Sequence, residues 1–262
     1  MGERFQCEKM GYLQLGDRVP EAGAVEPKAV TALYDLTVRT PFVGAAYRYF
    51  VAGALGLGVH EGRALDVGAG PGYVSIEMVR RAPELAMVGL DLAGHMVELA
   101  RRNAGRAGMD GRIDWVQGDA HQLPFDAGSF DLVMSSFALH HWADPVRVFN
   151  EIARVLAPGG RYYVADVCRE VKVLQRLFAY ASIPVLSLPF GSYYGYGGYW
   201  ESVRAAYSRA ELHEMARLSD LPPGDVRLGS AWLVPIVSVA SKGERNLATA
   251  PDGEKRSDQE RV

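Results

Sequence analysis

Between residues 63 and 167 the chain alternates short apolar runs with segments whose apolar residues recur every third or fourth position. The runs predict strands over 63–68 (RALDVG), 86–91 (AMVGLD), 112–119 (RIDWVQGD), 130–136 (FDLVMSS) and 161–167 (RYYVADV). Helical spacing links them through Val74, Met78 and Val79, then through HMVELARRNAGRAG, and last through DPVRVFNEIARVLAPGG. That last segment has an Asp cap, a proline at its first helical position, an apolar face of Val146, Phe149, Ile152 and Val155, and a Pro-Gly-Gly stop. Strand and helix in regular alternation predict an α/β domain whose parallel strands are covered by helices on both faces. Two helices, KAVTALYDLTV and FVGAAYRYFVAG, precede the first strand. After 167 the pattern changes. Residues 169–207 form an insertion, an apolar helical stretch followed by SLPFGSYYGYGGYW, and a helix (RAELHEMARLSD) and two strands (DVRLGS, WLVPIVSVAS) complete the domain. An antiparallel pair therefore closes a parallel sheet. The expected domain spans 28–240, with 1–27 a flexible arm and 241–262, charged and without apolar periodicity, a disordered tail.

Composition narrows the role of this domain. With 262 residues and 48% hydrophobic content the chain can fill one large core. A net charge of -3 and a pI near 6.1 give no basic field, so nucleic acid is not the expected partner. Cys7 and Cys168 are the only cysteines, too few for a disulfide framework or a Cys-rich zinc module. No apolar run reaches the ~20 residues that span a bilayer, and the first ten residues do not read as a signal peptide. A soluble, cytoplasmic protein is expected.

The candidate chemistry begins at ALDVGAGPGY, where a strand ends, Gly68, Gly70 and Gly72 follow, and a helix starts. Glycines there let a ligand approach the backbone while the chain turns into the helix. Dinucleotide enzymes share such turns, and a NAD site is the competing reading. Two details separate them. The spacing is G-x-G-x-G, and Asp66 stands two residues before the first glycine, where it would repel a pyrophosphate but can accept from an ammonium, directly or through water. Asp91 ends the second strand, where a carboxylate can accept both hydroxyls of a ribose, and Asp119 follows the third, within reach of an adenine amino group. An amino-acid end, a ribose and an adenine together describe S-adenosyl-L-methionine.

The segments ALDVGAGPG, VGLDLAGHMVELAR, GDAHQLPF, FDLVMSSFALHHWADP and EIARVLAPGG, in that order over about residues 63–167, resemble the class I S-adenosylmethionine-dependent methyltransferases. The resemblance is strongest to the small-molecule group that includes the ubiquinone and menaquinone biosynthesis enzymes. It implies a Rossmann-like, doubly wound, mostly parallel seven-stranded sheet, with S-adenosylmethionine as cofactor and S-adenosylhomocysteine as product. It assigns Asp66, Gly68, Gly70 and Gly72 to the methionine part and Asp91 to the ribose. Leu92 and Met96 flank the adenine, Asp119 and the Ala120 amide read its edge, and the Ser135 carbonyl receives the methionine ammonium. Tyr34, in a YD pair, reaches the cofactor.

The adjacent His140 and His141 in SSFALHHWADP invite a metal reading, but neighbouring side chains on a helix diverge by about 100° and do not converge on one ion. No metal is expected. His140 is the candidate base, able to take a proton from a phenol or enol as the methyl arrives, against the alternative that the pair shapes a turn. Tyr193, Tyr196 and Tyr199, interleaved with glycines in the insertion, suggest an aromatic lid for an aromatic, apolar or cationic acceptor. The same rings would equally serve packing or a homodimer contact. The expected activity is methyl transfer to a small organic acceptor, with oxygen or carbon favoured over nitrogen. The alternative is a regulatory or scaffold protein that binds S-adenosylmethionine without turnover.

Overall fold

The computed structural model describes residues 12–14, 18, 41–172, 202–231 and 234–242. In chain order the elements are β1 (Tyr12–Gln14), α1 (Pro41–Leu55), β2 (Glu61–Val67), α2 (Tyr73–Arg81), β3 (Glu84–Asp91), α3 (Gly94–Arg106), β4 (Ile113–Gln117) and β5 (Phe130–Ser136). A single 3-10 turn at Leu139–His141 follows, then α4 (Pro145–Val155), β6 (Leu156–Val167), β7 (Glu170–Lys172), α5 (Arg209–Leu218), β8 (Gly224–Ala231) and β9 (Val234–Ser241). The expected helix at 28–38, most of the insertion and nearly all of the tail lie outside the described residues.

Seven strands form one sheet in the order β4-β3-β2-β5-β6-β9-β8. The first five are parallel, and β9 and β8 join them antiparallel. This is the doubly wound sheet that the alternation of patterns predicts. Its faces follow from the two-residue period of a strand: along β5, Leu132 and Met134 enter one apolar cluster and Val133 enters the other. The first cluster takes Phe50 from α1, Met78 from α2 and Ala104 from α3, and the second takes Phe149 and Ile152 from α4 and Leu212 from α5. Helices therefore cover both faces, and the apolar contacts fix each one against the sheet.

Two details of β6 and α4 depart from the pattern. The strand starts at Leu156 and runs through Pro158-Gly159-Gly160, five residues before the expected start. Leu156 pairs with Phe130 and Arg161 with Leu132, so the ladder shifts register and the extra residues bulge, with Gly159 at φ 80°. On α4 the buried face is Pro145, Val148, Phe149, Ile152 and Val155, with Val146 only half-buried. Asp144 caps this helix by accepting from the Arg147 amide at 3.1 Å. On α5, Ser208 and Glu211 form a reciprocal capping box, and Glu211 also accepts both bonds from the buried Arg169 guanidinium at 2.8 Å.

The arm expected to be loose is anchored at two described points. Tyr12–Gln14 pairs antiparallel with Glu170–Lys172, forming a two-stranded sheet. Arg18 donates to the carbonyls of Ala205 at 2.6 Å and His140 at 3.1 Å, and its guanidinium lies 4.2 Å from the Tyr207 ring centre. The turn after β5 is thus tied to the N-terminal arm.

Candidate active site

Strand order reverses at β2, which has β3 on one side and β5 on the other, so the loops leaving their carboxyl ends diverge and open a crevice. A cavity of about 240 Å³ lies there. Of the residues expected to bind the cofactor, Gly68, Gly70, Asp91, Leu92, Met96, Asp119 and Ala120 line it. Asp66, Gly72, Ser135 and His140 are not among its lining residues. Tyr34, Tyr193, Tyr196 and Tyr199 lie outside the described residues.

The loop is built by its glycines and held by Asp91. Gly68, Gly70 and Gly72 all have positive φ (75°, 53° and 81°), conformations that side chains with a Cβ rarely adopt. A Cβ on Gly72 would also collide with the Trp115 ring, so this glycine sets the packing of α2 on β4 and leaves ligand contact to its neighbours. The Gly70 amide donates to Asp91 Oδ2 at 2.8 Å and the Ala93 amide to Oδ1 at 2.9 Å. Burial raises the Asp91 carboxyl above its usual range, and these two amides pull it back only in part. Asp91 therefore fixes the glycine loop and the start of α3 while still facing the cavity.

Asp66 lies below the loop, fully buried. The Ser75 hydroxyl donates to its Oδ2 at 2.6 Å, and Oδ1 has no partner among the described residues. Burial pushes its pKa to about 7; Ser75 works against that rise, and the Asp91 charge adds to it. An orphaned buried carboxylate oxygen is costly, and its persistence beneath a ligand loop points to a partner that arrives with the ligand. Asp119 is the opposite case. It is half-exposed, accepts from the His121 amide at 2.9 Å and from His121 Nδ1 at 2.7 Å, and is held below the usual carboxylate range by those bonds. His121 Nε2 accepts the Asp144 amide at 3.2 Å, which ties Asp119 to the cap of α4.

At the β5 end of the crevice the residue that reaches the cavity is Ser136, whereas Ser135 is buried and its hydroxyl donates to the Val67 carbonyl at 2.7 Å. Phe137 follows with φ 54°, the single described non-glycine residue with positive φ, a strain that costs about 1–3 kcal/mol. Its ring meets Phe50 edge-on at 4.5 Å and Tyr47 at 6.1 Å, and Tyr47 stacks on Tyr73 at 6.0 Å. Tyr47, Tyr73 and Phe137 all line the cavity. Sequence reasoning missed this wall because its members come from α1, α2 and the residue after β5, and only the fold brings them together. The histidine pair divides. His140 is buried with Nδ1 2.8 Å from Asp166 Oδ2, and its own amide donates to the same oxygen at 2.8 Å. His141 is exposed and lines the cavity, its ring 4.0 Å from that of His140. Among the described residues no group of three or more His, Cys, Asp or Glu side chains could hold a metal, and no helix is long and apolar enough to cross a membrane.

Comparison with known proteins bears on this arrangement. Residues 65–164 match the model of a methyltransferase domain. The chain is 35% identical to the demethylmenaquinone methyltransferase of Deinococcus radiodurans over 58% of its own length and 64% of that protein's. It is 31% identical to the ubiquinone/menaquinone biosynthesis C-methyltransferase UbiE of a Ruegeria species, over 66% of its own length and 74% of the relative's. The chain belongs to the S-adenosylmethionine-dependent methyltransferase family. Some matches are shorter: that to the Thermus thermophilus demethylmenaquinone methyltransferase takes in 60% of the relative's length. The plantazolicin methyltransferase BpumL, solved with a triazolic desmethylPZN analogue and S-adenosylhomocysteine, shares the methyltransferase fold with a TM-score of 0.59 at 13% identity, over 83% of this chain and 91% of its own. A methyltransferase of Aquifex aeolicus superposes with a TM-score of 0.57 at 14% identity, over 82% of this chain and 98% of its own.

The residues present fit the methyltransferase cofactor, S-adenosylmethionine. The orphaned Oδ1 of Asp66 offers an acceptor to an ammonium or the water beneath it. Asp91 keeps lone pairs for a diol beyond the two amides it accepts. Leu92 is a large apolar side chain left 54% exposed beside the cavity, the kind of surface that a flat base would cover.

Proposed function

We propose that this chain transfers the methyl group of S-adenosylmethionine to a small aromatic or apolar acceptor, at carbon or oxygen. The observation that carries the reading is the crevice itself. One end holds Asp91 and Asp119, with Asp66 buried beneath the glycine loop, and the other is walled by Tyr47, Tyr73 and Phe137. In this reading Gly68, Gly70 and Asp66 hold the methionine part, Asp91 the ribose, and Leu92, Met96, Asp119 and Ala120 the adenine. Bound S-adenosylmethionine supplies a methyl group already activated on a sulfonium. The chain's own task is to orient the acceptor in line and to exclude water. Stacked and edge-on rings favour a flat ring as acceptor and also suit the approach of a sulfonium. The relatives named for menaquinone and ubiquinone biosynthesis, one of them a C-methyltransferase by name, support an acceptor of that shape.

The base is assigned with His141 ahead of His140. His140 is locked by Asp166 and lies off the cavity lining, which favours a role in shaping the turn, whereas His141 reaches the cavity from that turn. A cofactor contact for Tyr34 and acceptor contacts for Tyr193, Tyr196 and Tyr199, all outside the described residues, stay part of the proposal.

Two measurements test the assignment. Titration calorimetry with S-adenosylhomocysteine should give saturable binding, and NAD should give none. Radiolabelled methyl transfer from S-adenosylmethionine into a cell extract should label a small molecule and vanish with Asp91→Ala. Binding of NAD in place of S-adenosylhomocysteine would overturn the reading. With a labelled acceptor in hand, His141→Ala should lower kcat far more than His140→Ala does.

A further inference from the structure

Among the side chains lining the cavity, His95 belongs to neither the glycine loop nor the aromatic wall. His95 stands in the first turn of α3, four residues after Asp91, and lines the cavity. Its Nε2 is buried and has no hydrogen-bond partner among the described residues. It also acts electrostatically on Asp91: a positive charge on His95 draws the Asp91 carboxyl down. A buried imidazole nitrogen without a partner is as unfavourable as any other orphaned polar group, and here it is found beside the carboxylate assigned to the ribose.

We propose that His95 is a cofactor-recognition residue whose Nε2–H donates to a ribose hydroxyl that in turn donates its proton to Asp91. The inference rests on the cofactor assignment above. Its chemistry follows from counting donors and acceptors. A carboxylate is an acceptor only, so Asp91 can satisfy the protons of the diol but not the lone pairs of its oxygens. Asp91 already spends one acceptor site on each oxygen on the Gly70 and Ala93 amides. A neutral imidazole with its proton on Nε2 supplies the missing donor, and a chain running from imidazole to hydroxyl to carboxylate polarises each bond in the same direction. His95 thereby makes recognition of the ribose depend on the hydroxyl oxygen as well as on its proton.

The test is titration calorimetry of the full chain and its His95→Phe and His95→Gln variants with S-adenosylhomocysteine and with its 2′-deoxy and 3′-deoxy analogues. Wild type should prefer S-adenosylhomocysteine to both analogues. His95→Phe should bind S-adenosylhomocysteine about tenfold or more weakly, as loss of one buried donor implies. It should bind one deoxy analogue with affinity close to that of wild type. His95→Gln, which keeps an N–H donor, should recover most of the loss. Without ligand, His95→Phe should unfold at or above the wild-type temperature, because the orphaned nitrogen is gone; if it does not fold, His95→Ala takes its place in every comparison. Unchanged binding of S-adenosylhomocysteine by the variant would overturn the inference, and so would an equal loss for all three ligands, which marks a merely structural role. Failure of wild type to bind S-adenosylhomocysteine would overturn the cofactor assignment and this inference together.

Discussion

Asp66→Asn should stabilise the ligand-free protein at neutral and alkaline pH, by an amount that grows with pH. The side chain is fully buried, and its pKa stands at about 7 against 3.8 for the free carboxyl. A raised carboxyl means that the folded chain holds a proton over a pH range in which the unfolded chain has released it. Stability therefore falls as pH rises, beginning near the unfolded value and ending near the folded one. The separation of about 3 units corresponds to about 4 kcal/mol lost by pH 8, of which only about 1.7 kcal/mol is already lost at pH 5. Asparagine does not titrate, keeps the shape, and can still accept the Ser75 hydroxyl. The stability of the variant minus that of wild type should increase by about 2.5 kcal/mol from pH 5 to pH 8, measured by urea unfolding at each pH. Taking the difference removes the contributions of every other titrating group common to both proteins. A difference that stays flat over this interval would refute the burial argument. Under the proposed cofactor assignment the same proton also bears on ligand binding. If only ionised Asp66 receives the ammonium, S-adenosylhomocysteine should bind about tenfold more tightly at pH 8 than at pH 6, and Asp66→Asn should bind weakly without that dependence.

Three further outcomes follow from the packing. Gly72→Ala combines a φ of 81° with a clash against Trp115 and should cost about 2–3 kcal/mol in urea unfolding, well above an ordinary glycine substitution. Glu211→Gln leaves the buried Arg169 guanidinium without its charge partner and should cost about 3 kcal/mol, whereas Arg169→Met, which removes the buried charge as well, should cost less. Asp166→Asn disturbs the clamp on His140, so it should weaken protection of the His140 and His141 amides in hydrogen exchange, with little change in protection along β2 and β3.

The parts of this molecule that were legible in the sequence are those written in short-range pattern. Alternating runs revealed β2 to β5 and their helices because a two-residue period and a 3.6-residue period leave different traces. Asp91 and Asp119 could be placed at the crevice from sequence, because residues that end parallel strands meet at one edge whatever the details of packing. The early start of β6 was not legible. Pro158-Gly159-Gly160 has the composition of a helix stop, and only the pairing of Leu156 with Phe130 turns those residues into a bulge within a strand. The aromatic wall was hidden for a related reason. Tyr47 and Tyr73 sit at unremarkable positions on two helices, and their stacking is a property of how α1 and α2 cross.

The histidine pair shows where local pattern stops being sufficient. In sequence His140 and His141 are equivalent neighbours, and the choice of His140 as base rested on its position after a strand. The fold separates them by burial. Asp166, 26 residues further on, takes both the amide and the Nδ1 of His140, and Arg18 from the N-terminal arm holds the His140 carbonyl. Two long-range contacts thus fix the backbone of a turn whose next residue, His141, projects to the cavity together with Trp142. A residue held at its amide, its carbonyl and its ring is suited to keeping its neighbour in place. Its neighbour His141 is exposed and lines the cavity. The same division recurs across the crevice, where Asp66 and Gly72 lie beneath the surface and shape what Gly70 and Asp91 present. In this molecule the residues that a motif makes conspicuous are as often the support of the site as its contact surface.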